Sequence, residues 1–401
     1  MRGQAATKPT HIAIKYFQGR GAIDRIAALG QEKGGEVASK VPGETSGFDF
    51  EGMRFGVKAW RASASDAREG GAPAVPIVFV HGFAQQASTL DDVARLLADA
   101  GARCFGFELA GHGVGACSAG GAPAEHPGFF DLRFQARALL AFCEAVARDV
   151  GVAPVLVGYS MGGRVALQAA CLVADDLRNG ELGRAALRSS AAFAPCDRTG
   201  RLDVAGVGQR DTATTSAGDA VRMSAAVPFS ALVLESAGLG PVDDAAREAL
   251  RERNFAWAAR VRGEGVSAFM DWWAGLPLFE SQRILPDEQR ERLCAGRLAN
   301  DAESLALSFE RAGAHVMPSR KESMRALCEL AAKGIPVSYL AGEFDAKYCK
   351  VASTLQAESQ GAISCRVVPA AGHNIHLEQP EVFGAILEEV VESCTPKPAA
   401  L

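Results

Sequence analysis

The chain has 401 residues, 48% of them hydrophobic and 22% charged, with a formal net charge of −5. That balance gives a globular chain with a sizeable core and excludes a low-complexity polymer. No apolar run approaches the length of a bilayer span and no Lys/Arg block forms, so neither a membrane span nor a nucleic-acid partner is expected. Residues 1–10 lack the basic start, apolar centre and small-residue cleavage site of a secretory leader, which makes a cytoplasmic location the default expectation. The 10 cysteines are widely scattered with no CxxC pair, whereas structural zinc sites bring ligands in close pairs. They read as small buried hydrophobes, and no metal or cofactor is expected.

In chain order, residues 1–47 show no clear period and are taken as an N-terminal extension of unknown role. An early strand over 53–60 leads through a polar Gly/Ala/Ser-rich connection, 61–73, into an alternation of strands and helices. The β-rich runs are 76–80, 103–108, 154–158, 231–235, 336–341 and 363–368. Between or after them, residues 90–99, 131–149, 161–174 and 381–392 carry apolar residues at helical spacing. Alternation of this kind predicts an α/β architecture, a mostly parallel sheet flanked by helices. Two stretches exceed the usual short connection. Residues 176–230 read as a flexible insertion, with 206–218 rich in Thr, Ser, Gly and Asp, and 240–319 reads as an inserted helical lid. The core then comprises 48–239 and 320–396.

The chemistry-bearing residues fall at the ends of these strands. The GxSxG segment Gly158-Tyr159-Ser160-Met161-Gly162 lies between the 154–157 strand and a helix opening, which is the context of a nucleophile elbow. A serine hydroxyl is a poor nucleophile or base alone and needs an imidazole, itself oriented by a carboxylate. Asp345 follows the 336–341 strand and His373 follows the 363–368 strand, so both sit on the rim that carries Ser160. His376 and Glu343 are the rivals; His373 is preferred because it directly follows the Gly-rich turn 369–372. A metal reading of His373 and His376 finds no third ligand at a helpful spacing. The oxyanion donors would be the N–H groups of Met161 and of Phe83, the latter in the loop after the 76–80 strand. His81 in that loop reads as structural.

These residues, with the turn Glu108-Leu109-Ala110-Gly111-His112-Gly113, resemble the α/β-hydrolase superfamily over about residues 50–393. A narrower likeness is carried by residues 158–164, by 232–236 followed by Gly238-Leu239-Gly240, by Trp272 with Pro277-Leu278-Phe279, and by 342–347 and 371–376. Together they are similar to the MenH family, the 2-succinyl-6-hydroxy-2,4-cyclohexadiene-1-carboxylate synthases of menaquinone biosynthesis. The resemblance implies a lyase step: a proton leaves a cyclohexene ring, electrons shift through the diene, and pyruvate departs from an enolpyruvyl group. Ser160 would then be a base assisted by His373.

A small polycarboxylate substrate of this kind needs fixed cations around an apolar pocket. The resemblance points to Arg164 and Arg297 for that task, with Trp272, Tyr159 and Lys347 also lining the substrate site. One departure stands out: the arginine and aspartate usual on the first lid helix are replaced here by Leu250 and Asn254, with Arg247, Arg251 and Arg253 nearby. Fold does not fix reaction, so two other readings remain: a serine-triad hydrolase of esters or carbon–carbon bonds, and a non-catalytic binding protein on the same scaffold.

Overall fold

The structure is a computed structural model that describes residues 15–16, 44–61, 74–113, 122–180 and 227–395. Its sheet has nine strands among the described residues, β1 (Lys15–Tyr16), β2 (Glu44–Phe50), β3 (Met53–Trp60), β4 (Ile77–Val80), β5 (Cys104–Phe107), β6 (Val155–Tyr159), β7 (Ala231–Glu235), β8 (Val337–Gly342) and β9 (Ser364–Val368). The spatial order is β1-β9-β8-β7-β6-β4-β5-β3-β2. All pairs are parallel except β2 with β3 and β3 with β5. The central strands β4, β6 and β7 are buried along their whole length, as their unbroken apolar runs require.

Ten helices accompany these strands among the described residues: α1 (Asp91–Asp99), α2 (Leu132–Val150), α3 (Met161–Asn179), α4 (Asp244–Ala274), α5 (Asp287–Leu298), α6 (Ala302–Ala312), α7 (Arg320–Ala332), α8 (Ala346–Glu358), α9 (Ile375–Glu378) and α10 (Pro380–Cys394). The pleat of β4 shows how they are layered. Val78 and Val80 pack with Leu139 of α2, Val165 of α3 and Leu327 of α7, whereas Ile77 and Phe79 pack with Val93 of α1 and Ile386 of α10. Helices therefore cover both faces. Between β7 and β8 the chain leaves the sheet for α4, α5 and α6; α4, α6 and the turn Pro277–Ile284 build a third apolar cluster around Phe269, Trp273, Phe279 and Phe309. The long α4 is broken at Gly265, whose φ of 80° and ψ of 167° lie outside the helical region and suit a residue without a Cβ.

Three expectations need adjustment. Strand β2 begins at Glu44, so the sheet starts before the boundary drawn at residue 47, and Lys15–Tyr16 adds a parallel edge pair to β9. The β2 sequence ETSGFDF has too little apolar alternation to stand out, and its stability comes from full-length pairing with β3. Helix α3 runs on to Asn179, into the segment read as an insertion; residues 206–218 and 62–73 lie outside the described residues. The cysteines divide: Cys104, Cys143, Cys171 and Cys365 are buried, but Cys294 is exposed. No described helix is long and apolar enough to cross a membrane.

Candidate active site

Strand order creates the site. The chain places β5 on one side of β4 and β6 on the other, and at such a switch point the loops leaving the two strands' C-terminal ends diverge and open a crevice. The loop after β4 carries Phe83, and the turn after β6 carries Ser160. Ser160 has φ 49° and ψ −104°, a strained conformation for a residue with a side chain, and it caps the N-terminus of α3. Close approach makes the turn possible. A Cβ on Gly162 would lie 2.3 Å from the Val80 carbonyl oxygen, and one on Gly163 would lie 2.5 Å from the Ala237 methyl. Only glycines let the start of α3 press against the end of β4 and against Ala237 after β7.

His373 joins this turn from the loop after β9. Its Nδ1 lies 2.6 Å from Asp345 Oδ2 and its Nε2 lies 3.1 Å from Ser160 Oγ. With Nδ1–H donating to the carboxylate, Nε2 is left to accept the serine proton. Burial outweighs the Asp345 contact and holds the imidazole below its ordinary pKa, so the neutral, proton-accepting form predominates at neutral pH. Asp345 also accepts from Tyr348 N–H at 3.2 Å, which fixes the carboxylate at the N-terminus of α8.

Both rival residues are engaged elsewhere. Glu343 is exposed and accepts from Ala370 N–H at 3.0 Å. His376 is fully buried, with Nδ1 2.8 Å from Glu235 Oε2 and its backbone N–H donating to Glu235 Oε1 at 3.1 Å. Glu235 ends β7, so this pair pins the turn that follows His373. A second carboxyl, half-buried, does similar work: Glu378 accepts from Gly372 N–H at 2.6 Å, from Asn374 N–H at 3.3 Å and from the Ser281 hydroxyl at 3.0 Å. Sequence reasoning missed both acids, because neither follows a strand by the spacing that marked Asp345.

His81 holds the other half of the crevice. Its Nδ1–H donates to the Gly82 carbonyl at 2.8 Å and its Nε2 accepts from Leu109 N–H at 3.1 Å, tying the β4 and β5 loops together. Burial first, then the neighbouring His112, lowers its pKa to about 3, so the ring stays neutral and structural. Phe83 packs under the inserted helices, 4.2 Å from Phe309 and 5.0 Å from Trp273 between ring centroids.

The structure places the expected aromatic residues as follows. Trp272 faces Arg260, whose guanidinium carbon lies 4.2 Å from its ring, whereas Trp273 meets Phe83 and Phe279. Adjacent helical residues point about 100° apart, so the neighbour takes the position toward the crevice. Tyr159 is only 3% exposed; its ring lies 5.3 Å from His373 and 4.8 Å from His376, so it supports the histidines from beneath.

Two arginines expected at the site lie outside the Ser160–His373–Asp345 chain of hydrogen bonds. Arg297 is buried, donates from Nη2 to Gln282 Oε1 at 3.0 Å, and lies over Phe279, whose ring is 5.9 Å from His373. Its Nε has no partner among the described residues. Arg164 lies one turn into α3 and is partly exposed; the ring of Tyr348 lies 5.0 Å from His373. Lys347 is exposed and donates to the Tyr348 hydroxyl at 3.3 Å. Neither arginine forms an ion pair with a carboxylate among the described residues. A separate cleft of about 760 Å³ between α2, α3, α4, α6 and α7 contains none of these residues, and its lining is of mixed charge, including Asp175, Arg178, Arg247 and Glu322.

A nucleophile elbow on a doubly covered parallel sheet, followed in chain order by an acid and a histidine, defines an α/β hydrolase, and the chain belongs to that family: the alpha/beta hydrolase family model matches residues 77–386. The relatives are more particular. The chain is 29% identical to the 2-succinyl-6-hydroxy-2,4-cyclohexadiene-1-carboxylate synthase of Escherichia coli (strain SMS-3-5 / SECEC) over 80% of its own length and 96% of the relative's. A Bacillus subtilis protein provisionally named for the same synthase is 33% identical over 41% of the chain and 57% of its own length. Among solved structures, MenH from S. aureus superposes with a TM-score of 0.59 at 22% identity, covering 84% of this chain and 98% of that one. An esterase from Thermogutta terrifontis reaches 0.52 at 18% identity, covering 88% and 100%, which speaks for the shared fold alone.

Proposed function

We propose that the protein is a carbon–oxygen lyase that converts 2-succinyl-5-enolpyruvyl-6-hydroxy-3-cyclohexene-1-carboxylate to 2-succinyl-6-hydroxy-2,4-cyclohexadiene-1-carboxylate and pyruvate. The observation that carries this reading is the pair of cations near His373, the buried Arg297 and the partly exposed Arg164, without carboxylate partners among the described residues. A buried guanidinium is costly unless a ligand supplies the negative charge, and a polycarboxylate offers a charge to each arginine. A simple apolar ester would leave both unpaired. The E. coli relative, aligned over nearly its whole length, carries the name of this synthase.

In this mechanism His373 Nε2 takes the Ser160 proton and Ser160 Oγ takes a ring proton from C2 of the substrate. The C2–H electrons form the C2=C3 double bond, the former C3=C4 bond shifts to C4=C5, and the C5–O bond breaks. The enolate of pyruvate leaves and is protonated to pyruvate, with the Ser160–His373 pair as the proton store. Phe83 and Met161 N–H groups stabilise the charge that develops on oxygen in the transition state.

The test is pyruvate release from the synthetic intermediate by purified protein, with rapid-quench mass spectrometry of the enzyme during turnover. Pyruvate without a Ser160 adduct is expected. Efficient ester cleavage through an acyl-serine with no pyruvate formed would establish the hydrolase instead, because that reaction needs a covalent intermediate and water.

Arg297→Ala is expected to weaken kcat/KM by about 2–5 kcal/mol, the usual loss when a buried, charge-assisted contact is cut on one side. Steady-state kinetics, with circular dichroism to verify folding, checks this. An unchanged kcat/KM would assign Arg297 to packing on Phe279.

A further inference from the structure

Glu235 touches both halves of the Ser160–His373 pair, one through its backbone and one through its side chain. Strands β6 and β7 are in register with Tyr159 opposite Glu235, and the ladder runs one step past β6: Ser160 N–H donates to the Glu235 carbonyl oxygen at 2.9 Å. That bond falls on the residue with φ 49° and ψ −104°, so it helps to hold a strained turn. The Glu235 carboxylate accepts from His376 Nδ1–H at 2.8 Å and from His376 N–H at 3.1 Å, and both side chains are wholly buried. His376 stands three residues after His373, and the intervening Asn374 and Ile375 are fully buried, so this anchor fixes the chain that carries the imidazole.

Anchorage alone would be served by a neutral amide, whereas a buried carboxylate is costly unless its charge is paired or used. Every hydrogen bond to this carboxylate among the described residues comes from His376. Its charge also reaches the other imidazole. Burial is the largest influence on His373 and lowers its pKa; Asp345 and then Glu235 act in the opposite direction, and Lys347 acts with burial. The remaining groups around that ring are Ser160 Oγ and the rings of Tyr159, Tyr348 and Phe279, whose centroids lie 5.3, 5.0 and 5.9 Å away. Glu235 is thus an anion, besides Asp345, that favours a proton-accepting His373.

We propose that Glu235 is a positioning residue for proton transfer between Ser160 and His373: its carbonyl holds the serine turn, its carboxylate holds the chain bearing the histidine, and so the end of β7 sets the distance between hydroxyl and imidazole. The inference rests on proton exchange between Ser160 and His373, as the proposed lyase requires, but not on the identity of the substrate. Misplacing a reacting pair by about 1 Å costs on the order of a hundredfold in rate, so an anchor common to both partners has a measurable effect.

Glu235→Gln isolates the side chain, because it leaves the backbone carbonyl in place, nearly keeps the shape and removes the charge. It is expected to lower kcat for pyruvate release at least about tenfold while KM stays within about twofold of wild type. The acidic limb of kcat/KM should move to lower pH, since the imidazole loses an anion. Glu235→Asp keeps the charge and shortens the reach, so it should lose kcat while its acidic limb stays where wild type has it. Phenylmethanesulfonyl fluoride, which reacts at an activated serine hydroxyl with loss of fluoride, supplies a second rate that needs no cyclohexene substrate; in Glu235→Gln this rate should fall along with kcat. If circular dichroism shows that Glu235→Gln has lost its fold, His376→Asn carries the test, because it keeps the carboxylate and removes the ring contact, with the same loss of kcat expected. Unchanged kcat in the folded variant, a loss borne by KM alone, or an acidic limb that stays in place in Glu235→Gln would overturn the positioning role. If wild type releases no pyruvate while sulfonylation still follows Glu235, the lyase reading fails and the positioning role stands.

Discussion

Ser160→Ala is expected to lower kcat by at least about a thousandfold, His373→Ala to do the same, and the double variant to be no worse than either. The geometry makes the two residues one device. His373 Nε2 stands 3.1 Å from Ser160 Oγ, and with Nδ1 committed to Asp345 it has one proton-accepting position, which is spent on the serine. Without Ser160 the imidazole has nothing at the reacting carbon; without His373 the hydroxyl keeps its proton. Either loss removes the same proton path. What remains in each variant is positioning by the arginines and the N–H donors, which is common to all three. Single-turnover pyruvate formation measures the effect, and losses that multiply in the double variant would show two independent routes for the proton.

Strand–helix alternation and the convergence of Ser160, Asp345 and His373 were legible because each rests on a local signal. Strands β4, β6 and β7 are buried on both sides, so apolar runs announce them, and Ser160, Asp345 and His373 each follow a strand end directly. Strand β2 was not legible, since its partner supplies the stability that its own residues lack. The second layer of the site escaped for a related reason. Glu235 reaches His376 across 141 residues of sequence and Ser281 reaches Glu378 across 97, contacts that only the folded sheet and the inserted helices create. Trp272 and Trp273 illustrate the same limit, because a motif locates a pair of neighbours but a helix decides which one turns inward.

Asp345→Asn is expected to be as severe as loss of the histidine, about ten-thousandfold in kcat, although the two side chains have the same shape. The carboxylate accepts Nδ1–H at 2.6 Å and thereby keeps Nε2 unprotonated toward Ser160. An amide can offer its N–H to Nδ1 instead, which drives the ring proton to Nε2 and aims a donor at a hydroxyl that needs an acceptor. Glu343→Gln should change little, since that side chain is exposed and holds only Ala370 N–H. The pH profile adds a check with a definite sign. Burial lowers the His373 pKa from its usual 6.5, and protonation removes the base, so kcat/KM in wild type should stay level as pH falls through 6.5 and decline only below it. In Asp345→Asn the imidazolium loses its neighbouring anion, so the pKa falls further and the acidic limb should move to still lower pH while the plateau collapses. An acidic limb that shifts upward in this variant, or a Glu343→Gln loss larger than that of Asp345→Asn, would transfer the orienting role to another carboxylate.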